Sequence, residues 1–275
     1  MFKISLIVTS ISGYDNLSRL FDSLNRQIIS KDKFEIILID QSVNSSFKPL
    51  KNIYPDIDIH HFSHNVVSLS KIRNYGISKC NGSILAFPDD DCWYYPDTLD
   101  IVYKYFYSNI YCQSLCGRIY DTNTNKNFVK NWPTKSAKVN KFNYYFLSSA
   151  TTLFTKEKLL FNEDIGPGTK YGSCEDVDYF FKLLNSNNFY YDINLKILHP
   201  DMRAQKLSLK KSMNYGLGFG YFFKNNLTIF NLFLFLTSLL YLMIRIFFYF
   251  IIFKFKYVKV LIYSFYGRIL PFFII

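Results

Sequence analysis

The sequence has little cysteine and no cysteine pattern typical of a metal site or a disulfide framework. Its five cysteines are odd in number, and their spacing matches no common zinc motif. A reduced, cytosolic compartment is therefore favoured over an oxidising one. The histidines that lie closest together, His60, His61 and His64, also lack zinc-site spacing, so we interpret them as structural.

Acidic residues are almost absent from the last quarter of the chain. The whole sequence has a net charge of +11, and residues 201–275 contain ten Lys and Arg residues but one acid, an excess of +9. The same stretch is rich in Phe, Leu, Ile and Tyr. Basic side chains set among apolar ones are typical of the cytoplasmic face of an anionic membrane. This distribution argues against a nucleic-acid partner.

The N-terminus lacks the features of a signal peptide. The apolar run at residues 4–8 is too short, and no small-residue cleavage pattern follows it, so we interpret it as a first β-strand. Further short apolar runs at 34–39 and 83–87 have segments of helical spacing between them, one of which spans residues 70–79. This alternation predicts an α/β fold with an open, doubly wound, mostly parallel sheet flanked by helices.

One long stretch, residues 228–244, contains no charge and is followed by Arg245 and then by more apolar residues. Its length approaches the ~20 residues that span a bilayer, but an arginine near the middle is costly in hydrocarbon. A second apolar stretch, 257–275, is interrupted by two basic residues and a proline. We expect a catalytic domain over 1–222 and, over 223–275, interfacial or hairpin-like helices that rest on the membrane, with a single membrane span as the alternative.

Polar side chains follow each predicted strand at the edge where ligands bind in open α/β sheets. The first strand is followed by Thr9 and Ser10, the second by Asp40, and the third by three consecutive acids, Asp89, Asp90 and Asp91. Adjacent carboxylates raise one another's pKa unless a cation neutralises them. In an extended chain Asp89 and Asp91 would share one face, which suits a hard divalent cation. A solvated acidic turn is the alternative, because Asp favours turns.

The second half of the chain has weaker patterns until residue 166. Residues 109–145 are expected to form loops and irregular strands. A glycine-rich loop at 166–172 precedes a stretch of helical spacing at 175–184, and a predicted strand at 189–198 leads to His199. The glycines at 215–220 lack the strand-to-helix context of a dinucleotide fingerprint, so we do not predict cofactor binding there.

Four segments, in order and spacing, resemble motifs of the family 2 glycosyltransferases, which have the GT-A fold. Ile-Leu-Ile-Asp-Gln-Ser at 37–42 is similar to the second-strand motif, and Lys-Ile-Arg-Asn-Tyr-Gly-Ile at 71–77 is similar to the Arg-Asn-x-Gly segment. Phe-Pro-Asp-Asp-Asp-Cys-Trp at 87–93 resembles the DXD motif. The glycine-rich loop with its Glu-Asp pair, at 168–178, resembles the segment that supplies the catalytic base. The resemblance extends over residues 2–222.

The resemblance implies inverting, metal-dependent transfer of a sugar from a nucleotide diphosphate sugar. It assigns the donor to Thr9, Asp40, Arg73, Asp89 and Asp90. It assigns Mn²⁺ or Mg²⁺ to Asp89 and Asp91, with His199 as a third ligand. It makes Asp176 the catalytic base, assisted by Glu175.

The chain departs from the family pattern in two places. The loop after the first strand lacks the Pro and Asn that are usual in the family, so the residues that contact the nucleobase of the donor stay unassigned. The Gln-x-x-Arg-Trp segment of processive polymerases does not follow Asp176, which favours transfer of a single sugar.

The expected acceptor is a saccharide, or a lipid-linked saccharide used for cell-surface polysaccharide, at the cytoplasmic face of the membrane.

Two other functions are compatible with parts of this pattern. A nucleotidyltransferase also uses carboxylates, a metal and a nucleotide, but the sequence has no glycine-rich, Lys- or Arg-bearing phosphate loop near the N-terminus. A membrane-bound scaffold that binds a nucleotide sugar without turnover is the other alternative. Presence of all three of Asp89, Asp91 and Asp176 favours the enzyme.

Overall fold

A computed structural model describes residues 2–11, 14–42, 50–121, 126–127, 130–200 and 208–273. The strands within these residues are β1 Ile4–Ser10, β2 Phe34–Asp40, β3 Asp58–Ser63, β4 Ile84–Ala86, β5 Trp93–Tyr94, β6 Ser114–Asp121, β7 Lys126–Asn127, β8 Ala137–Lys138, β9 Leu153–Thr155 and β10 Phe189–Leu198. The helices are α1 Tyr14–Asn25, α2 Leu50–Ile53, α3 Leu69–Ile77, α4 Thr98–Ser108, α5 Tyr144–Leu147, α6 Glu175–Leu183, α7 Leu209–Asn225, α8 Ile229–Ile251 and α9 Phe255–Ile269.

The strands form one mixed sheet in the order β3-β2-β1-β4-β9-β6-β10-β5, with β7 beside β6 and β8 beside β10. The first four strands in this order are parallel, as the sequence predicts. β9 then runs antiparallel to both β4 and β6, while β6 and β10 are parallel. The register between β1 and β2 places Ser10 opposite Asp40, so the polar residues that end these strands lie at one edge of the sheet.

The β1–β2 half of the sheet is buried because both of its faces carry apolar side chains. All seven residues of β2 are buried, which is typical of a parallel strand with helices on both faces. Apolar residues of α1 and α4, among them Leu20, Phe21 and Val102, complete this core. The buried carboxylate of Glu35 accepts a hydrogen bond from Ser5 Oγ (2.6 Å) and lies 3.2 Å from Lys3 Nζ, so its charge is compensated.

The predicted strands at 4–8, 34–39 and 189–198 are confirmed as β1, β2 and β10, and the predicted helix at 175–184 as α6. The expectation of loops and irregular strands over 109–145 is wrong for β6, which is a regular strand of eight residues inside the sheet. Its cysteine, glycine and tyrosine residues conceal the apolar pattern, whereas its neighbours β9 and β10 bury it.

Contacts divide the chain into two compact units. The first, the sheet unit, comprises residues 1–67, 71–160 and 179–201, and the second, the helical unit, comprises 68–70, 161–178 and 202–275. The predicted domain division at residue 222 falls inside α7 and stays a prediction. Among the described residues, only α8 is long and apolar enough to cross a membrane, judged by length and composition.

Candidate active site

The three acids that follow β4 lie in a tight turn, in which the Cys92 N–H donates to the Asp89 carbonyl (3.2 Å). The chain is therefore not extended at this point, yet the side chains separate as the sequence predicts. One carboxylate oxygen of Asp89 lies within 4.8 Å of one of Asp91. The Asp90 carboxylate instead accepts a hydrogen bond from Ser10 Oγ (2.5 Å). The backbone therefore forms a turn, as in the alternative of a solvated acidic turn. The carboxylates differ from that alternative, because each of the three has a protein partner.

His199 joins the two carboxylates from the end of β10. Its Nε2 lies 3.1 Å from Asp91 Oδ1, and single ligand atoms of Asp89, Asp91 and His199 all lie within 4.8 Å of one another. All three side chains are partly exposed, so a ligand from solvent has access to them. The predicted metal-binding residues are thus brought together in the fold, although their role stays a prediction.

The protonation of His199 reflects the negative charge around it. Burial alone would lower the pKa of His199, but its hydrogen bonds with Asp91 and the Pro200 carbonyl, together with the charges of Asp91 and Asp89, raise that pKa to about 9. The hydrogen bond with His199 in turn lowers the pKa of Asp91. The two carboxylates therefore favour positive charge at this position.

The Asp89 carboxylate accepts hydrogen bonds from one cationic and one neutral side chain. Arg73, which α3 carries and which is 4% exposed, donates to Asp89 Oδ1 (3.2 Å), and Thr151 Oγ1 donates to Asp89 Oδ2 (2.5 Å). The predicted donor-binding arginine thus lies beside the predicted metal-binding acid. Thr151 belongs to a short 3-10 turn in a region without a recognisable motif, so no pattern in the sequence identifies it as a site residue.

Asp40, the predicted nucleoside-binding residue, is 1% exposed and is held by three hydrogen bonds with two residues. Ser42 donates to Oδ1 through its backbone N–H (2.8 Å) and its hydroxyl (2.6 Å), while His61 Nε2 lies 3.3 Å from Oδ2. His61 therefore has a structural role, as predicted, but one that orients a candidate site residue. Thr9 lies at the end of β1, and residues 12–13 of the loop that follows lie outside the described residues.

The second group of acids with a histidine, Glu35, Asp58 and His60, is partly compensated by a lysine. Lys3 Nζ lies 3.2 Å from Glu35 Oε2 and 2.8 Å from Asp58 Oδ2. The ammonium group compensates one of the two carboxylate charges, and the interpretation of His60 as a structural residue stays a prediction.

In the helical unit, Glu175 and Asp176 begin α6 directly after a strained residue. Cys174 has a φ of 72°, a conformation that non-glycine residues adopt rarely and that clusters at functional sites. Its carbonyl accepts the N–H of Asp178 (3.0 Å), which closes the first turn of the helix. Glu175 and Asp178 are buried, whereas Asp176 is partly exposed. Of the predicted Glu-Asp pair, Asp176 is therefore the one that solvent and ligands reach more easily.

The loop before α6 uses glycine where its backbone requires it. Gly166 and Gly168 have φ values of 107° and 88°, which L side chains rarely adopt. A Cβ on Gly166 would also lie 3.1 Å from the Cβ of Glu175. The glycine-rich pattern found in the sequence thus reflects both the turn and its close packing against the start of α6.

The sequence model of a family described as "Glycosyl transferase family 2" matches residues 5–165. In structure, the chain is similar to TarS 1–349 of S. aureus, with a TM-score of 0.62, 16% identity, and coverage of 81% of this chain and 64% of that one. The same TarS fragment in complex with UDP-GlcNAc gives a TM-score of 0.62, 18% identity and coverage of 82% and 68%. No curated protein matches the chain in sequence.

A third similar structure is the mannosyltransferase PcManGT from Pyrobaculum calidifontis in complex with GDP-Man and Mn²⁺. Its TM-score is 0.57 at 12% identity, with coverage of 82% of this chain and 64% of that one. This chain thus spans less than two thirds of the PcManGT chain and of the first TarS chain. At such identities the likeness concerns the fold alone, and it confirms the predicted GT-A fold. The family match includes three of the four motifs and ends before Glu175.

Proposed function

The chain belongs to glycosyl transferase family 2, and we propose that it transfers a single sugar from a nucleotide diphosphate sugar to an acceptor hydroxyl, with inversion at the anomeric carbon. The observation that carries this proposal is the cluster of Asp89, Asp91 and His199 after the parallel strands of the sheet. Ligands bind at this edge of open α/β sheets. The complexes of TarS with UDP-GlcNAc and of PcManGT with GDP-Man and Mn²⁺ support a nucleotide sugar as donor.

The donor atoms of this cluster fit a divalent cation. Two carboxylates suit Mg²⁺ or Mn²⁺, and the imidazole of His199 favours Mn²⁺ of the two. The charges of Asp91 and Asp89, which raise the pKa of His199, would likewise favour a bound cation. When bound, the cation offsets the negative charge that develops on the leaving nucleoside diphosphate. To ligate it, His199 would have to give up the proton that Asp91 stabilises, and metal binding at this site would therefore release a proton.

The remaining residues of the sheet unit would orient the donor. Asp40 is held in one orientation by Ser42 and His61, so its carboxylate is prearranged for the nucleoside. Arg73 holds Asp89 and places a fixed positive charge beside the diphosphate position. Asp90, hydrogen bonded to Ser10, fixes the turn to the end of β1. Thr9 lies next to this contact and would border the donor.

Asp176 is our choice for the general base. Its carboxylate accepts the proton as the acceptor O–H bond breaks, the acceptor oxygen forms the new bond to the anomeric carbon, and the bond from that carbon to the diphosphate oxygen breaks. The partial exposure of Asp176 suits this contact with an acceptor. The buried Glu175 would orient the loop or the acceptor hydroxyl.

We further propose that the acceptor is a lipid-linked saccharide and that the protein works at the cytoplasmic face of the cell membrane, in synthesis of cell-surface polysaccharide. Support comes from α8, on which large apolar side chains are exposed, for example Phe233 (60%), Phe247 (67%) and Phe250 (58%). Water-exposed apolar surface of this extent is typical of a membrane or protein contact. The basic residues around α9 favour an anionic membrane.

The test is a thermal-shift screen of nucleotide sugars with Mn²⁺, followed by turnover of a radiolabelled form of the donor that binds. A ligand at 100 times its Kd stabilises the folded protein by about 2.7 kcal/mol, so the true donor should raise the unfolding temperature measurably. Asp91→Ala should abolish the Mn²⁺-dependent shift without unfolding the protein. Asp97→Ala is the matched control, because Asp97 is an exposed acid a few residues along the chain.

Each result separates the competing functions. Transfer of labelled sugar to an added acceptor supports the proposal. Release of pyrophosphate from a nucleoside triphosphate and a sugar phosphate would identify a nucleotidyltransferase. Donor binding without any turnover would identify a silent binder, and a donor affinity unchanged in Asp91→Ala would remove Asp91 from the metal site.

A further inference from the structure

The helical unit contains a cavity of about 760 Å³ that the proposed sugar transfer does not use. Its walls come from α7, α8, α9 and the loop residues Ser173 and Cys174, all within that one unit. The volume lies within the range of about 300–1,000 Å³ that is usual for small-molecule sites. The cavity is therefore large enough for the head group of an amphiphile and the first part of its chain.

The cavity has a strong positive charge. Arg245 of α8, Lys256 of α9 and Arg268 of α9 line it, and no acidic side chain lines it among the described residues. Three like charges around one space repel one another. A bound anion would lower this repulsion, and arginine side chains match the geometry of phosphate oxygens.

Aromatic rings hold both arginine side chains in place. The Arg245 guanidinium lies over the rings of Tyr241 and Tyr249, at 5.5 and 5.6 Å, and that of Arg268 lies 4.0 Å from the centre of the Phe219 ring. Such contacts restrict the long side chains before a ligand arrives. The entropy that an anion must remove on binding is reduced accordingly.

The rest of the wall is apolar, which excludes a purely polar anion as the best-fitting ligand. Phe219, Leu242, Val260 and Leu261 line the same cavity. A second groove of about 580 Å³ lies between α8 and α9, and apart from Lys259 its lining is apolar. A ligand that uses the cations and these apolar walls must carry an anionic head on a hydrocarbon chain.

We propose that this cavity binds the phosphate head group of a membrane lipid, with Arg245, Lys256 and Arg268 as the phosphate ligands. The exposed apolar side chains of α8, next to the cavity, place such lipids within reach. The bound head group would contact Ser173 and Cys174, the two residues that precede α6. Free phosphate shares the head-group chemistry but would leave the apolar wall unused, and the test separates the two.

The experiment is calorimetric titration of the full chain in non-ionic detergent with three probes. These are dihexanoyl phosphatidic acid, dihexanoyl phosphatidylcholine and inorganic phosphate. The first should bind at least ten times more tightly than either of the others. Lys256→Gln and Arg245→Gln should each weaken its binding about tenfold or more, whereas Lys254→Gln should change it less than twofold. Lys254 is a basic, exposed residue two positions from Lys256 that does not line the cavity.

Several results would overturn the proposal. Equal losses for Lys254→Gln and Lys256→Gln would reduce the effect to surface charge, and equal affinity for phosphatidylcholine would reduce it to apolar contact. Inorganic phosphate as tight as phosphatidic acid would mean a free-phosphate site. Lys256 is exposed, so its substitution should leave the fold intact, and circular dichroism checks this. Because the measurement is of lipid binding, it stands even if no sugar donor is found.

Discussion

At the scale of single residues, the sequence indicates the chemistry of the site better than its local structure. The separation of Asp90 from Asp89 and Asp91 was predicted from an extended chain, but it occurs in a turn. The prediction succeeds because either backbone places neighbouring side chains on different sides. Thr151 and His61, which orient Asp89 and Asp40, have no local pattern, since their contacts depend on sequence-distant neighbours.

The residue with the most direct test is Asp176. Asp176→Asn should lower the rate of sugar transfer by about 10²- to 10⁴-fold, because the amide keeps the size of the side chain and loses the proton acceptor. Donor and metal binding should persist. Steady-state rates at saturating donor, with donor affinity measured in parallel, provide the check.

The neighbouring acid gives the matched control for this experiment. Glu175→Gln should have a milder effect if Glu175 only orients the loop, and the reverse order would move the base to Glu175. If both acids only favoured the N-terminus of α6, worth about 0.3–1 kcal/mol, then Asp176→Asn would melt slightly lower and turn over normally.

At the scale of elements, the glycines at 215–220 show what a pattern without context leaves open. Their sequence context argues against a cofactor site, and the segment resembles one that precedes the membrane-associated tail of related transferases. In the structure, these glycines allow α7 to pack closely on α9: a Cβ on Gly216 would lie 2.5 Å from the Ser264 carbonyl oxygen, and one on Gly220 would lie 2.1 Å from that of Arg268. Such helix contacts depend on the partner helix, which the spacing of glycines alone does not identify.

Gly220→Ala should therefore destabilise the helical unit. The added methyl group meets backbone atoms, which move only if α9 moves, and overpacking of this kind costs about 1–3 kcal/mol. Alanine is favoured over glycine in a helix by about 1 kcal/mol, so a net loss of stability would report the clash. Chemical denaturation in detergent measures it.

Gly172→Ala is a suitable control for that substitution. Its Cβ would have its nearest contact at 3.1 Å, with the side chain of Asn214, which can shift. We expect a smaller loss of stability than for Gly220→Ala. A Gly220→Ala protein that is more stable than the unaltered protein by the full ~1 kcal/mol of helix propensity would contradict close packing of α7 on α9.

At the scale of the whole molecule, the fold class was predictable from the sequence, whereas the division of the chain at residue 222 stays a prediction. Alternating apolar strands and helical spacing are sufficient for an α/β sheet, because each strand carries its own pattern. The sequence suggested a tail added after residue 222, whereas residues 161–178 share a compact unit with α7, α8 and α9. Contacts between segments far apart in sequence leave no such pattern.

The membrane proposal has its own test. In liposome flotation, the full chain should rise with vesicles that contain anionic lipid and should do so less at high salt. Lys254 and Lys259 each add about 1 kcal/mol of attraction to such a surface, which salt screens. Replacement of Phe247 and Phe250 by Glu should keep the protein from floating.

The same pair of substitutions at Tyr107 and Tyr111 serves as the control. These tyrosines are exposed aromatic residues of the sheet unit, 70% and 76% exposed, and lie outside α8. Their replacement by Glu should leave flotation unchanged. A full chain that stays at the bottom of the gradient with anionic vesicles would contradict membrane association.

The two compact units have a consequence for the evolution of this chain. Under the proposed roles, the sheet unit carries Asp40, Arg73, Asp91 and His199, which recognise the donor and its metal, while the helical unit carries Asp176 and the lipid cavity. Substitutions that alter the choice of sugar nucleotide would then fall in a different structural unit from those that alter the acceptor, although the codons of the two units alternate along the gene. Each preference can therefore diverge among descendants by point substitution without erasing the other.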